Sequence, residues 1–67
     1  MTNTEAKQAL FDKTPVIYKN TEYSCISAII YRYDRQGNLL VSAELMDKNK
    51  HSVIIAQIKD VITVHDQ

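Results

Sequence analysis

This chain has no tryptophan, one cysteine, one glycine and one proline. Each shortage removes a possibility. Cys25 alone cannot close a disulfide within the chain, and it has neither a Cys-x-x-Cys partner nor a neighbouring histidine to suggest a zinc site. The histidines His51 and His65 stand far apart and add no ligand cluster. The only glycine, Gly37, cannot make a glycine-rich phosphate loop. A chain with 45% hydrophobic residues is also not of disordered composition. Neither sign of charge is in excess, since eight basic residues balance eight acidic ones. The basic surplus that phosphate contacts usually require is therefore missing, which disfavours nucleic acid as partner. No apolar run approaches the ~20 residues of a membrane-crossing helix, and the first residues lack the charged-then-apolar pattern of a signal peptide. The expectation is an intracellular, cytoplasmic protein with no cofactor, no metal and no membrane partner.

What is present is short: 67 residues make one domain. Such a chain buries roughly 60% of the surface its unfolded form exposes, so its stability is marginal without help. Small domains gain help from disulfides, metals or a partner subunit. With the first two disfavoured, self-association into a homo-oligomer is an expectation on physical grounds.

The first dozen residues predict a helix. Thr2 and Glu5 have capping-box spacing ahead of a run of helix formers. Ala6, Ala9 and Leu10 share one face, and Pro15 closes the segment. Residues 1–14 thus read as helix and linker, and residues 15–67 as a β domain. Strands are expected at Val16–Lys19, Tyr23–Tyr33, Leu39–Met46, Ser52–Ala56 and Val61–Val64, with turns at Lys19–Glu22, Asp34–Asn38 and Asp47–Lys50 and a single helical turn at Gln57–Asp60.

The sequence Asp34-Arg35-Gln36-Gly37-Asn38 matches a type I turn closed by a glycine bulge. In that register Tyr33 faces Leu39, Tyr31 faces Val41, Ile29 faces Ala43 and Ser27 faces Leu45, a core-like set except for Ser27; a two-residue turn at Gln36–Gly37 is the competing reading and would bring Ile30 inward with Ala43. The opposite face pairs Arg32 with Leu40, Ile30 with Ser42, Ala28 with Glu44 and Ile26 with Met46. The long second strand is then apolar on both faces, and such a strand is usually covered twice. One cover is the domain interior. The other is either the N-terminal helix or a second subunit.

Five strands with one helical turn between the fourth and fifth resemble the strand order of an SH3-like barrel over residues 15 to 65. The resemblance implies a mainly β fold: a small five-stranded barrel with a short N-terminal helix. The letters Ala9-Leu10-Phe11-Asp12 also resemble the start of the ALYDY segment of peptide-binding SH3 domains. Here Lys13 replaces the closing tyrosine, and no tryptophan, acidic loop or late proline follows. The stretch therefore reads as a helix end, not as a polyproline groove. The segment from Tyr18 to Val61 resembles small uncharacterised proteins of bacterial phages and mobile elements. That likeness implies an accessory protein acting by binding.

No catalytic set can be assembled. Cys25 has no base beside it, and Glu44 and Asp47 read as ordinary surface carboxylates. The leading expectation is a non-enzymatic protein-binding or self-associating module using Leu10, Ile26, Ile30, Leu40 and Met46, because exposed apolar patches mark contact sites. An alternative is single-strand or RNA binding through Tyr18, Lys19, Tyr23, Arg32, Arg35, Lys48 and Lys50, with tyrosine rings stacking bases. A third is a regulatory inhibitor that adds a strand to a host protein through an open sheet edge.

Overall fold

A computed structural model describes residues 1–64 and places helix α1 at Asn3–Asp12, followed by strands β1 (Val16–Tyr18), β2 (Thr21–Tyr23), β3 (Cys25–Tyr33), β4 (Leu39–Met46) and β5 (Val53–Gln57), a 3-10 turn at Ile58–Asp60, and β6 (Val61–Thr63). His65 and the two residues after it lie outside the described residues. The fold is mainly β. It has six strands in two three-stranded antiparallel sheets, ordered β2-β1-β6 and β3-β4-β5. Among the described residues the strand count is six where five were expected: the strand expected at Tyr23–Tyr33 is interrupted at Ser24, with Tyr23 closing β2 in one sheet and Cys25–Tyr33 forming β3 in the other. Ser24 holds the junction. Its N–H donates to the Met46 carbonyl at 2.9 Å, and its hydroxyl lies 3.1 Å from the carbonyls of both Met46 and Asp47.

The helix begins as its sequence predicts. Glu5 N–H donates to the Thr2 hydroxyl at 3.1 Å, and Thr2 N–H donates to Glu5 Oε1 at 2.8 Å. Each bond satisfies a donor that the first helical turn leaves free. The helix ends at Lys13, which takes the left-handed conformation (φ 55°) and donates its N–H to the Ala9 carbonyl. Asn or Gly is the usual choice there. This chain is short of glycine and uses lysine. The Ala9–Asp12 stretch lies wholly inside the helix.

Two of the turns settle strand pairing. Lys19 and Asn20 both have positive φ (50° and 63°), the requirement of a two-residue type I′ hairpin. Because two residues suffice to reverse the chain, Thr21 and Glu22 pair in β2 instead of belonging to the turn. At the β3–β4 turn Gly37 (φ 84°) sits at the bulge position, with Gly37 N–H bonded to the Asp34 carbonyl at 3.1 Å and Asp34 N–H to the Asn38 carbonyl at 2.9 Å.

This turn gives a pH prediction. The Asp34 carboxylate accepts the N–H groups of Asn38 (2.9 Å) and Gln36 (2.8 Å). The Asn38 N–H is the main reason that the Asp34 carboxyl titrates below the ordinary aspartate value. A carboxyl depressed on folding contributes stability that is full above the unfolded value of about 3.9 and is lost as pH falls through the lower folded value. Asp34→Ala should therefore lower the melting temperature at neutral pH, and its deficit should shrink as acid protonates the Asp34 carboxyl in the folded parent. Thermal melts from neutral pH down into acid check it, and a deficit independent of pH would contradict it. Asp47 is held low in a similar way, first by the Ser52 hydroxyl at 2.9 Å and then by the His51 N–H at 2.9 Å.

The β3–β4 register follows the expected pairing from Tyr33↔Leu39 to Ala28↔Glu44 and then shifts by one, so that Ile26 pairs with Leu45 and Cys25 with Met46. A bulge at Ser27 absorbs the extra residue. The Ser27 hydroxyl lies 2.7 Å from Glu44 Oε1 and 3.2 Å from the Glu44 carbonyl. The expected pairing of Ser27 with Leu45 is therefore corrected, and the physical reason is burial. The slip puts Ile26 opposite the fully buried Leu45 and keeps a hydroxyl out of the core.

The core joins the inner face of β3-β4-β5 (Ile26, Ala43, Leu45, Ala56) to Ala6 and Ala9 of the helix, Val16, Ile58 and Val61, with Leu10, Ile29, Val41 and Ile54 packed around them. Four of these residues are alanines, small enough for helix and sheet to approach closely. The helix docks on β3, so Ala6 and Ala9 cover the chain's own sheet. Tyr31 and Tyr33, expected in the core, are instead 47% and 72% exposed. Length explains this: a ten-residue helix runs about 15 Å, whereas a nine-residue strand runs about 30 Å. The far end of the β3–β4 hairpin passes beyond its cover. There the Tyr31 hydroxyl still donates to Asn3 Oδ1 at 2.8 Å.

Candidate interaction surface

Strand alternation sends Ala28, Ile30 and Arg32 of β3, Leu40, Ser42, Glu44 and Met46 of β4, and Val53, Ile55 and Gln57 of β5 to the face opposite the core. The cross-strand rows are Met46–Val53, Ala28–Glu44–Ile55, Ile30–Ser42–Gln57 and Arg32–Leu40. Val53 is 45% and Ile55 51% exposed. Ile30, Leu40 and Met46 are half-buried by their neighbours. Diagonal neighbours lie ~7–8 Å apart in a sheet, so Ile30 adjoins Leu40 at one end and Ile55 adjoins Met46 at the other.

The five residues singled out from the sequence therefore divide. Ile30, Leu40 and Met46 share the outer face. Ile26 does not: the bulge turns it inward, it is 1% exposed, and it offers a partner no surface there. Leu10 packs against the core from the helix. Leu10, Ile26 and Met46 meet again at the end of the β3–β4 ladder, where they line a cleft of about 340 Å3 with Lys13, Cys25, Ser27 and Lys50. Val53 and Ile55 were not among the candidates. The signal for them was the uncharged run Val53-Ile54-Ile55-Ala56, whose alternation gives one apolar pair to each face. No protein-family model, curated protein or solved structure matches this chain.

The basic and aromatic candidates do not converge. Tyr18 and Tyr23 pack half-buried against the core, and the Lys19 ammonium lies 5.3 Å from the Tyr18 ring, within cation–π range. Lys48 reaches Glu22 at 3.5 Å, an exposed pair of small energetic value. Arg32 and Arg35 stand exposed at the far end of the β3–β4 hairpin, and Lys50 lies at the cleft. The exposed tyrosine rings are Tyr31 and Tyr33, on the other face of β3 from Arg32. Among the described residues no group of three or more His, Cys, Asp or Glu side chains stands close enough to hold a metal. Among the described residues no helix is long and apolar enough to cross a membrane.

Proposed function

We propose that this chain is a non-enzymatic binding module, that it associates through the outer face of β3-β4-β5, and that its first partner is a second copy of itself. The observation that carries the reading is the pair Val53 and Ile55, 45% and 51% exposed, which extend the outer face from Met46 on the neighbouring strand, with Ile30 and Leu40 half-buried at its other end. Zero net charge supports a like partner, since two copies approach without net repulsion. The small size of the chain gives the burial a purpose, because each square ångström of apolar surface removed from water adds about 25 cal/mol to a thin margin. The two sheets joined at Ser24 are compatible with an SH3-like arrangement, which supplies a scaffold and no chemistry of its own.

Sedimentation equilibrium up to about millimolar chain, the range in which ~4 kcal/mol of association is visible, tests this reading. Association is expected. Ile55→Lys together with Leu40→Lys should raise the dissociation constant at least tenfold, by burying charge at the contact. A parent chain that stays monomeric, or lysine variants that associate as well as the parent, would sink the self-association reading.

A further inference from the structure

We propose that the cleft at the open end of the β3–β4 ladder binds a small aliphatic carboxylate, with its tail among Leu10, Ile26 and Met46 and its head near Lys13 and Lys50. The volume of about 340 Å3 falls within the ~300–1,000 Å3 usual for ligand sites, which are mostly apolar with a few placed polar groups. The cleft has that composition. Three apolar side chains and the Cys25 thiol line it, with the Ser27 hydroxyl, whose hydrogen goes to Glu44, and two ammonium groups completing the lining. Two other cavities, of about 270 and 230 Å3, fall below the range.

Charge decides the sign of the ligand. No carboxylate lines the cleft, and neither Lys13 nor Lys50 has an ion-pair partner among the described residues. Both backbones are held in the left-handed conformation (φ 55° and 59°), Lys13 by the helix end and Lys50 by its own N–H bond to the Asp47 carbonyl at 3.1 Å. Opposing charges stand nearby but off the lining. The helix C-terminus carries about half a unit of negative charge in its free carbonyls. Glu44 carries a full unit, and its Oε1 accepts the Ser27 hydroxyl at 2.7 Å. Asp12 precedes Lys13, and Asp47 shares the turn of Lys50. The lining itself holds two positive charges and no negative one, which favours an anionic head over a cationic one. The site lies at the edge of the outer sheet face and shares Met46 and its partner Cys25 with it, but none of Ile30, Leu40, Val53 or Ile55, so a failure of self-association leaves it intact.

The test is a methyl and amide NMR titration of the full chain with octanoate, octanol and octylammonium at low salt, each below its micelle concentration. Octanoate should shift the signals of Leu10, Cys25, Ile26 and Met46 in a saturable way, with a dissociation constant at least tenfold below that of octylammonium. Raising salt to about 0.5 M should weaken octanoate and leave octanol unchanged. The double variant Lys13→Gln/Lys50→Gln should weaken octanoate about tenfold or more and spare octanol. Glu44→Gln should tighten octanoate, because it removes an opposing charge beside the lining while keeping an acceptor for Ser27. Octanol or octylammonium binding as tightly as octanoate, shifts centred elsewhere, or indifference to both salt and the lysines would overturn the proposal.

Discussion

Leu45→Ala should leave a large part of the chain unfolded in water at room temperature. Leu45 is fully buried at the centre of the inner sheet face, between Ile26 on β3 and Ile54 on β5. Removing a leucine side chain from such a site costs about 3–5 kcal/mol, part from lost transfer free energy and part from the cavity left behind. A domain of this size has about 3–10 kcal/mol of stability in total, so the loss is of the same order as the whole. Collapse around the gap is restricted. The flanking strands are pinned by their ladders, and the Ser24 bonds fix the end of β4 one residue beyond Leu45. Leu40→Ala is the matched control. It deletes the same atoms from a half-buried position on the outer face and should cost about 1 kcal/mol or less in a monomer. Urea unfolding of the two variants checks the contrast. Equal shifts of their midpoints would mean that the two faces of β4 are buried alike.

That contrast depends on a register readable in the residues down to Ala28 and no further. The Asp34–Asn38 turn was legible because aspartate first and glycine fourth satisfy one turn geometry, and the geometry fixes every pair up the hairpin. Ser27 facing Leu45 was the one misfit in that set. The misfit marks the bulge, since a hydroxyl opposite a buried leucine is a cost the backbone avoids by inserting a residue. The break at Ser24 left no comparable mark. A serine between Tyr23 and a β-branched run reads as strand, and what bends the chain there is a pair of carbonyls more than twenty residues away. Tyr31 and Tyr33 alternate as core residues do. Only the length of the helix above them, set by its cap at Thr2 and its end at Lys13, leaves them in water.

The candidate surface divides along the same line. Ile30, Leu40 and Met46 follow from period-two alternation, and Ile26 was misplaced by the single residue of the bulge. The cleft was out of reach of local reasoning, because Lys13 and Lys50 lie at the ends of a helix and a turn that only the folded chain brings to one opening.

The helix supplies the second large effect. Ala6→Glu should cost about 3 kcal/mol or more, because Ala6 is fully buried between helix and sheet and a carboxylate there would have to shed its water or lever the helix away. The helix is too short to hold its shape in water alone, so undocking should also melt it, and far-UV circular dichroism should fall together with stability. For a domain of this length, 3 kcal/mol corresponds to roughly 12–24 °C in melting temperature. Thr4→Glu adds the same charge two residues away at an exposed position and should stay within about 0.5 kcal/mol of the parent. If both variants melt alike, Ala6 does not cover the sheet, and the helix is free for a partner. If Ala6→Glu alone collapses, the apolar face of the helix is spent inside its own domain. The proposed association then falls to the outer face of β3-β4-β5, where Val53 and Ile55 remain in water.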